Sequence, residues 1–88
     1  MIINIKDLKN KIIYRANYRG TKEMDKLLGS FTNKYIDQLD NEGLLLLCDL
    51  LDCDDENLYK LNQGLKQTIK FKTNKITELF KNFEYGKD

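Results

Sequence analysis

The 88-residue sequence predicts an all-α fold, a small bundle of about five helices forming one domain over residues 1–88. Three observations carry that expectation. Apolar residues recur at steps of three and four through most of the chain, the spacing that gathers side chains on one face of a helix. Proline is absent, so nothing imposes the sharp breaks common in loop-rich β proteins. Glycines and short polar residues, which stop and cap helices, fall where the apolar periodicity ends and restarts.

Leu8, Ile12, Ile13 and Ala16 mark a first helix over about residues 6–18, and Gly20 ends it by tolerating a left-handed conformation. Thr21 is the N-cap of a second helix, with Glu23 in its first turn, where the helix dipole favours a carboxylate. Met24, Leu27, Leu28, Phe31 and Tyr35 give this helix the strongest apolar stripe in the chain. Gly29 inside it costs about 1 kcal/mol against alanine, which points to close approach of another helix or of a partner. Asp40 caps a third helix, read as the central buried one because Leu44 to Cys48, Leu50 and Leu51 are apolar almost all round. Asp54 caps a short fourth helix with Leu58, Tyr59 and Leu61 facing inward, closed near Gly64. Residues 65–72 read as a loop that pins Leu65, Ile69 and Phe71 on the core. A last helix, about 73–83, carries Ile76, Leu79, Phe80 and Phe83.

Composition narrows the function. An apolar fraction of 41% with 33% charged residues belongs to a compact soluble protein. A chain this short buries only about 60–65% of its unfolded surface, which leaves little room for an enclosed catalytic cavity. Histidine is absent, removing the commonest general base and neutral metal ligand, so neither an enzyme nor a metal site is expected. Cys48 and Cys53 read as small hydrophobes in a reducing compartment. Asp52, Asp54 and Glu56 alternate like calcium ligands, but position six is Asn57 and position twelve is Gln63, so an N-cap cluster is the better reading. The five glycines are scattered and make no phosphate loop. The longest leucine and cysteine run, Leu44 to Cys48, is far short of the ~20 residues of a membrane span, and no secretory signal is read, so membrane insertion is not expected. Lys66, Lys70, Lys72 and Lys75 around Phe71 form a solvated coat rather than a nucleic-acid surface, in keeping with a pI near 7.7. The net charge of +1 is segregated into +4 over residues 1–26, −6 over 27–63 and +3 over 64–88. Basic ends could fold around the acidic middle, or two opposed faces could meet a partner.

The segment from Arg15 to Asp25 stands apart. Its two arginines, Arg15 and Arg19, are the only ones beside thirteen lysines, and they meet Glu23 and Asp25 across the Gly20 turn. Arginine offers a planar fork for carboxylate or phosphate that lysine lacks. The pattern serves equally an internal Arg–Glu clasp fixing the angle between the first two helices or a partner-binding site.

Arg19-Gly20-Thr21-Lys22-Glu23, followed by Asp25, Leu28 and Phe31, resembles the RGxxE motif of the SdhE family of FAD assembly factors, called succinate dehydrogenase assembly factor 2 in mitochondria. Leu50 to Leu58 resembles that family's LLxCxDxxL segment, and the likeness covers about residues 12–83. The resemblance implies a non-enzymatic, chaperone-like factor that binds the flavoprotein subunit of succinate dehydrogenase or fumarate reductase and promotes covalent attachment of FAD to it. FAD would be carried by the partner, with no cofactor bound stably here. Arg19, Gly20 and Glu23 would face the flavoprotein, with Asp25 and Arg15 on the same face. A side chain at Gly20 would both clash and deny the turn its dihedral angles. The chain departs from many relatives in Thr21 and in Tyr59-Lys60, where a bulkier apolar residue and a tryptophan are common. A bacterial cytoplasmic protein, monomeric when free, is expected. An antitoxin or regulatory binding module and a purely structural helical subunit are the alternatives from other classes.

Overall fold

Helix α1, Ile5–Asn17, begins where the Asn4 side chain accepts hydrogen bonds from the Lys6 and Asp7 amides at 3.0 and 3.3 Å. This computed structural model describes residues 4–66 and 70–84. Ile12 and Ala16 are fully buried on its inner face, with Leu8 and Ile13 packed at the margin. Helix α2, Lys22–Tyr35, starts at the predicted Thr21 cap and buries Met24, Leu27, Leu28 and Phe31. The cost of Gly29 has its explanation in α1. A Cβ at Gly29 would fall against the Asn17 side-chain amide, whose Cγ would lie 3.1 Å away, so glycine lets the two helices approach.

A 3-10 turn at Ile36–Gln38, not foreseen in the sequence, tightens the end of α2 and buries Ile36. Helix α3, Asn41–Leu51, is capped by Asp40, and α4, Asp55–Gln63, by Asp54, both as expected. Helix α4 closes on Gly64 at φ +73°, with Leu65 donating to the Lys60 carbonyl at 2.8 Å and Gly64 to that of Leu61 at 3.3 Å. This paired arrangement satisfies carbonyls that a helix end otherwise leaves bare. Helix α5, Lys75–Lys81, begins two residues later than periodicity suggested. The reason is a reciprocal cap: Asn74 accepts from the Ile76 and Thr77 amides, and the Thr77 hydroxyl accepts from the Asn74 amide.

Three expectations about burial need correction. Helix α3 is not buried all round: Leu44, Leu47, Leu50 and Leu51 are buried while Leu45 is 50% exposed. Tyr59 does not face inward, at 45% exposure, because α4 lies at the rim and only Leu58 and Leu61 reach the core. In the connection before α5, Phe71 packs on the core as expected, Leu65 does not, and Ile69 lies outside the described residues. Phe31 is the hub of the core, with ring centroids 5.1, 5.4 and 5.2 Å from Phe80, Phe83 and Tyr35. Asn62 ties α4 to the end of α5 by donating to the carbonyls of Phe80 and Phe83 at 2.9 and 2.8 Å.

The charge segregation resolves into basic ends folded round the acidic middle. Lys9 pairs with Asp37, Arg15 with Asp52, Arg19 with Asp55, and Lys75 with Asp40. The Gly43 amide, assisted by Lys75, holds the Asp40 carboxyl below its ordinary value, and the Asn57 side chain does the same for Asp54.

Two predictions follow from this packing. Leu47→Ala should destabilise by about 2–5 kcal/mol in urea unfolding, whereas Leu45→Ala should stay within about 0.5 kcal/mol of the parent. The depressed carboxyls stabilise the fold above the ordinary value of 3.8, and that contribution is lost as pH falls through their lower folded values. Asp40→Asn with Asp54→Asn should therefore flatten the decline of melting temperature on acidification below about pH 4.

Candidate functional site

The α1–α2 turn runs from Tyr18 to Thr21, and its shape is set by Gly20 at φ +120°, a region L side chains rarely adopt. Nothing lies within 4 Å of a Cβ built there. A side chain at Gly20 would thus strain the backbone, as expected, while meeting no atom of the chain itself. Asp25, in the first turn of α2, folds its carboxylate back to accept the amides of Arg19 and Gly20, the latter at 3.3 Å. The carboxylate thereby satisfies donors that the turn would otherwise leave bare.

The Arg19 side chain leaves this turn and crosses to the connection between α3 and α4. Nε donates to Asp55 Oδ1 at 2.9 Å, Nη1 to the Leu51 carbonyl at 2.7 Å, and Nη2 to the Cys53 carbonyl at 2.8 Å. The side chain is 11% exposed, and each guanidinium nitrogen has an acceptor. Lysine, with one nitrogen, could not span three acceptors spread along one turn. Arg15 follows the same route more superficially, pairing through Nη2 with Asp52. The clasp is real, but its carboxylates are Asp52 and Asp55, not Glu23.

Glu23 is exposed, and its side chain makes no hydrogen bond or ion pair among the described residues. Of the five predicted site residues, then, Gly20 and Glu23 lie at the surface. Arg19 and Asp25 build the turn that carries them, and Arg15 buttresses it. Sequence reasoning missed Asp55, whose adjacency to the Asp54 cap disguised it as one more helix-start carboxylate. Its signal was the −6 charge of the middle segment, which needed basic partners from elsewhere.

Other chemistry is sparse. Burial pushes the thiols of Cys48 and Cys53 up, away from the thiolate form that reacts. Among the described residues no group of histidine, cysteine or carboxylate side chains could hold a metal, and no helix is long and apolar enough to cross a membrane. Gly20 and Gly64, the glycines at positive φ, lie in separate turns rather than in one phosphate-cradling loop.

Arg19→Lys keeps the charge but loses most of the fork, and should cost about 2–4 kcal/mol in chemical denaturation. Glu23→Gln should cost no more than about 0.5 kcal/mol, since only a helix-dipole contribution is removed.

The profile of the family described as "Flavinator of succinate dehydrogenase" matches residues 10–84. The chain is similar to succinate dehydrogenase assembly factor 2-B, mitochondrial, of Drosophila mojavensis, at 33% identity over 75 residues, 83% of this chain and 48% of that protein. It is also similar to succinate dehydrogenase assembly factor 2, mitochondrial, of Arabidopsis thaliana, at 29% identity over 51 residues, 58% of this chain and 27% of that protein. The chain spans less than half the length of these curated relatives. No solved structure gives a significant match. With the family profile spanning the helices from within α1 to beyond α5, and with the Arg19-Gly20-Glu23 turn in place, the chain belongs to the succinate dehydrogenase flavinator (assembly factor 2) family.

Proposed function

We propose that this chain is a non-enzymatic assembly factor that binds the flavoprotein subunit of succinate dehydrogenase, or the related fumarate reductase subunit, and promotes covalent attachment of FAD to it. The observation that carries this reading is the division within the motif. Arg19 is consumed in bracing the turn, while Gly20 and Glu23 stand exposed on a rigid support. Such a turn suits recognition of another protein, because its conformational cost has been met in folding and not at binding.

FAD enters on the partner, and the chain supplies no bond-forming group. Its contribution is to hold the flavoprotein where the accepting side chain and the flavin meet, a positioning effect that can lower a barrier by several kcal/mol. Glu23 contacts a cationic group of the flavoprotein, and Gly20 lets the two backbones come close. The free chain acts as a monomer. A bacterial cytoplasm is the compartment we propose, and the free thiols Cys48 and Cys53 fit a reducing one.

Co-expression with the flavoprotein subunit of the same organism, followed by fluorescence of a denaturing gel, counts covalent flavin directly. The parent chain should raise it, and Glu23→Gln, with its melting temperature unchanged, should lower that gain by up to about tenfold, the loss of one charge-assisted contact. Flavin unaffected by the parent chain, with both proteins folded and FAD supplied, would overturn the reading.

A further inference from the structure

Beside the Arg19–Glu23 turn, residues of α2 and α4 line a groove. It consists of two adjoining depressions of about 760 and 350 Å³ that share Glu23, Met24 and Tyr59. Volumes of this order accommodate several side chains of a ligand. The floor is core: Met24, Leu27 and Phe83 are each 6–7% exposed. The rim carries Tyr59 at 45% and Leu65 at 51% exposure. Both are among the residues that the helical pattern and the loop reading assigned to the interior, so the fold leaves apolar side chains exposed here.

The charges on the groove are unequally matched. Asp55 is held by Arg19, and Glu56 by Lys60 at 3.2 Å. Glu23, on both depressions, and Lys26, on the larger one alone, have no ion pair among the described residues, so the carboxylate is the unpaired charge common to the whole groove. A carboxylate with apolar side chains on either side is complementary to a cationic side chain flanked by apolar ones.

We infer that this groove is the docking site for a segment of the partner protein that lays an arginine or lysine against Glu23 and an aliphatic or aromatic side chain against Tyr59 and Leu65. The inference rests on the flavoprotein reading and names which part of the surface that partner takes. Tyrosine is a common anchor in interfaces, being large, stiff and able to keep its hydroxyl wet. The α1 surface offers a built-in contrast: Tyr14 and Tyr18 are 65% and 70% exposed and stacked at 4.7 Å, away from either depression.

The test measures the affinity of the full chain for the flavoprotein subunit by calorimetry, with folding of every variant checked by thermal melting. Tyr59→Ser combined with Leu65→Ser should weaken binding at least about tenfold, while Tyr14→Ser combined with Tyr18→Ser should change it by less than about threefold. Glu23→Lys should bind more weakly than Glu23→Gln. The inference is overturned if the α1 pair and not the groove pair abolishes binding, or if Glu23→Lys binds more tightly, which would mean an acidic occupant. It is equally overturned if the groove pair alters self-association in sedimentation and leaves flavoprotein affinity unchanged, which would make a second copy the occupant. A parent chain with no affinity for the flavoprotein refutes the underlying reading itself, a result separable from loss in the groove variants alone.

Discussion

The fan of hydrogen bonds from Arg19 to Asp55 and to the carbonyls of Leu51 and Cys53 is the constraint on which the rest of the site depends. It joins two chain reversals, the α1–α2 turn and the α3–α4 turn, that belong to different helical pairs. Desolvating a guanidinium is costly, and the cost is offset only where its donors are matched, as they are here. Loss of the fork would leave carbonyls of the α3–α4 turn without donors and would release the Gly20 turn at the same time. That double role explains why arginine stands here in a chain that otherwise uses lysine.

The same logic operates at lower stakes over the whole molecule. The basic ends reach the acidic middle through Lys9–Asp37, Arg15–Asp52 and Lys75–Asp40, exposed pairs that add little energy each but agree in direction. Stability itself comes from apolar contact about Phe31, where α2 meets the ring of Phe80 from α5 and that of Phe83 just beyond it. Asn62 then closes the end of α5, so that the fourth and fifth helices share one hydrogen-bonded corner. Packing provides the energy, and the ion pairs and caps choose among arrangements that packing alone would allow.

Much of this was legible in the residues. The α2 stripe from Met24 to Phe31 and the caps at Thr21, Asp40 and Asp54 were plain because each is a local signal, a period or a side chain reaching two or three residues along. The errors have a common cause, since they concern relations between distant segments. Tyr59 and Leu45 satisfy a helical pattern, yet whether a helix face is covered depends on neighbours that the pattern does not name. The pairing of Arg19 with Asp55 spans 36 residues, and local spacing favoured the nearer Glu23. The late start of α5 is the exception, a local reciprocal cap at Asn74 and Thr77 outweighed in reading by the apolar period.

The RGxxE spacing acquires a physical meaning from these contacts. Gly20, at φ +120°, reverses the chain so that the residue before it and the residue three after it point to different places. Had Arg19 paired with Glu23, each would have neutralised the other and the turn would present no charge. Because Asp55 takes the arginine and Asp25 takes the turn's amides, Glu23 is left without a counter-ion among the described residues, on a backbone already fixed. Fixing one backbone residue costs about 1–2 kcal/mol, so a turn of several residues ordered in advance spares a partner a cost comparable to much of an interface's energy. The function proposed above asks no deep cavity of a short chain: it asks for a carboxylate placed beside an apolar groove, on a turn that Arg19 braces through Asp55 and the carbonyls of Leu51 and Cys53.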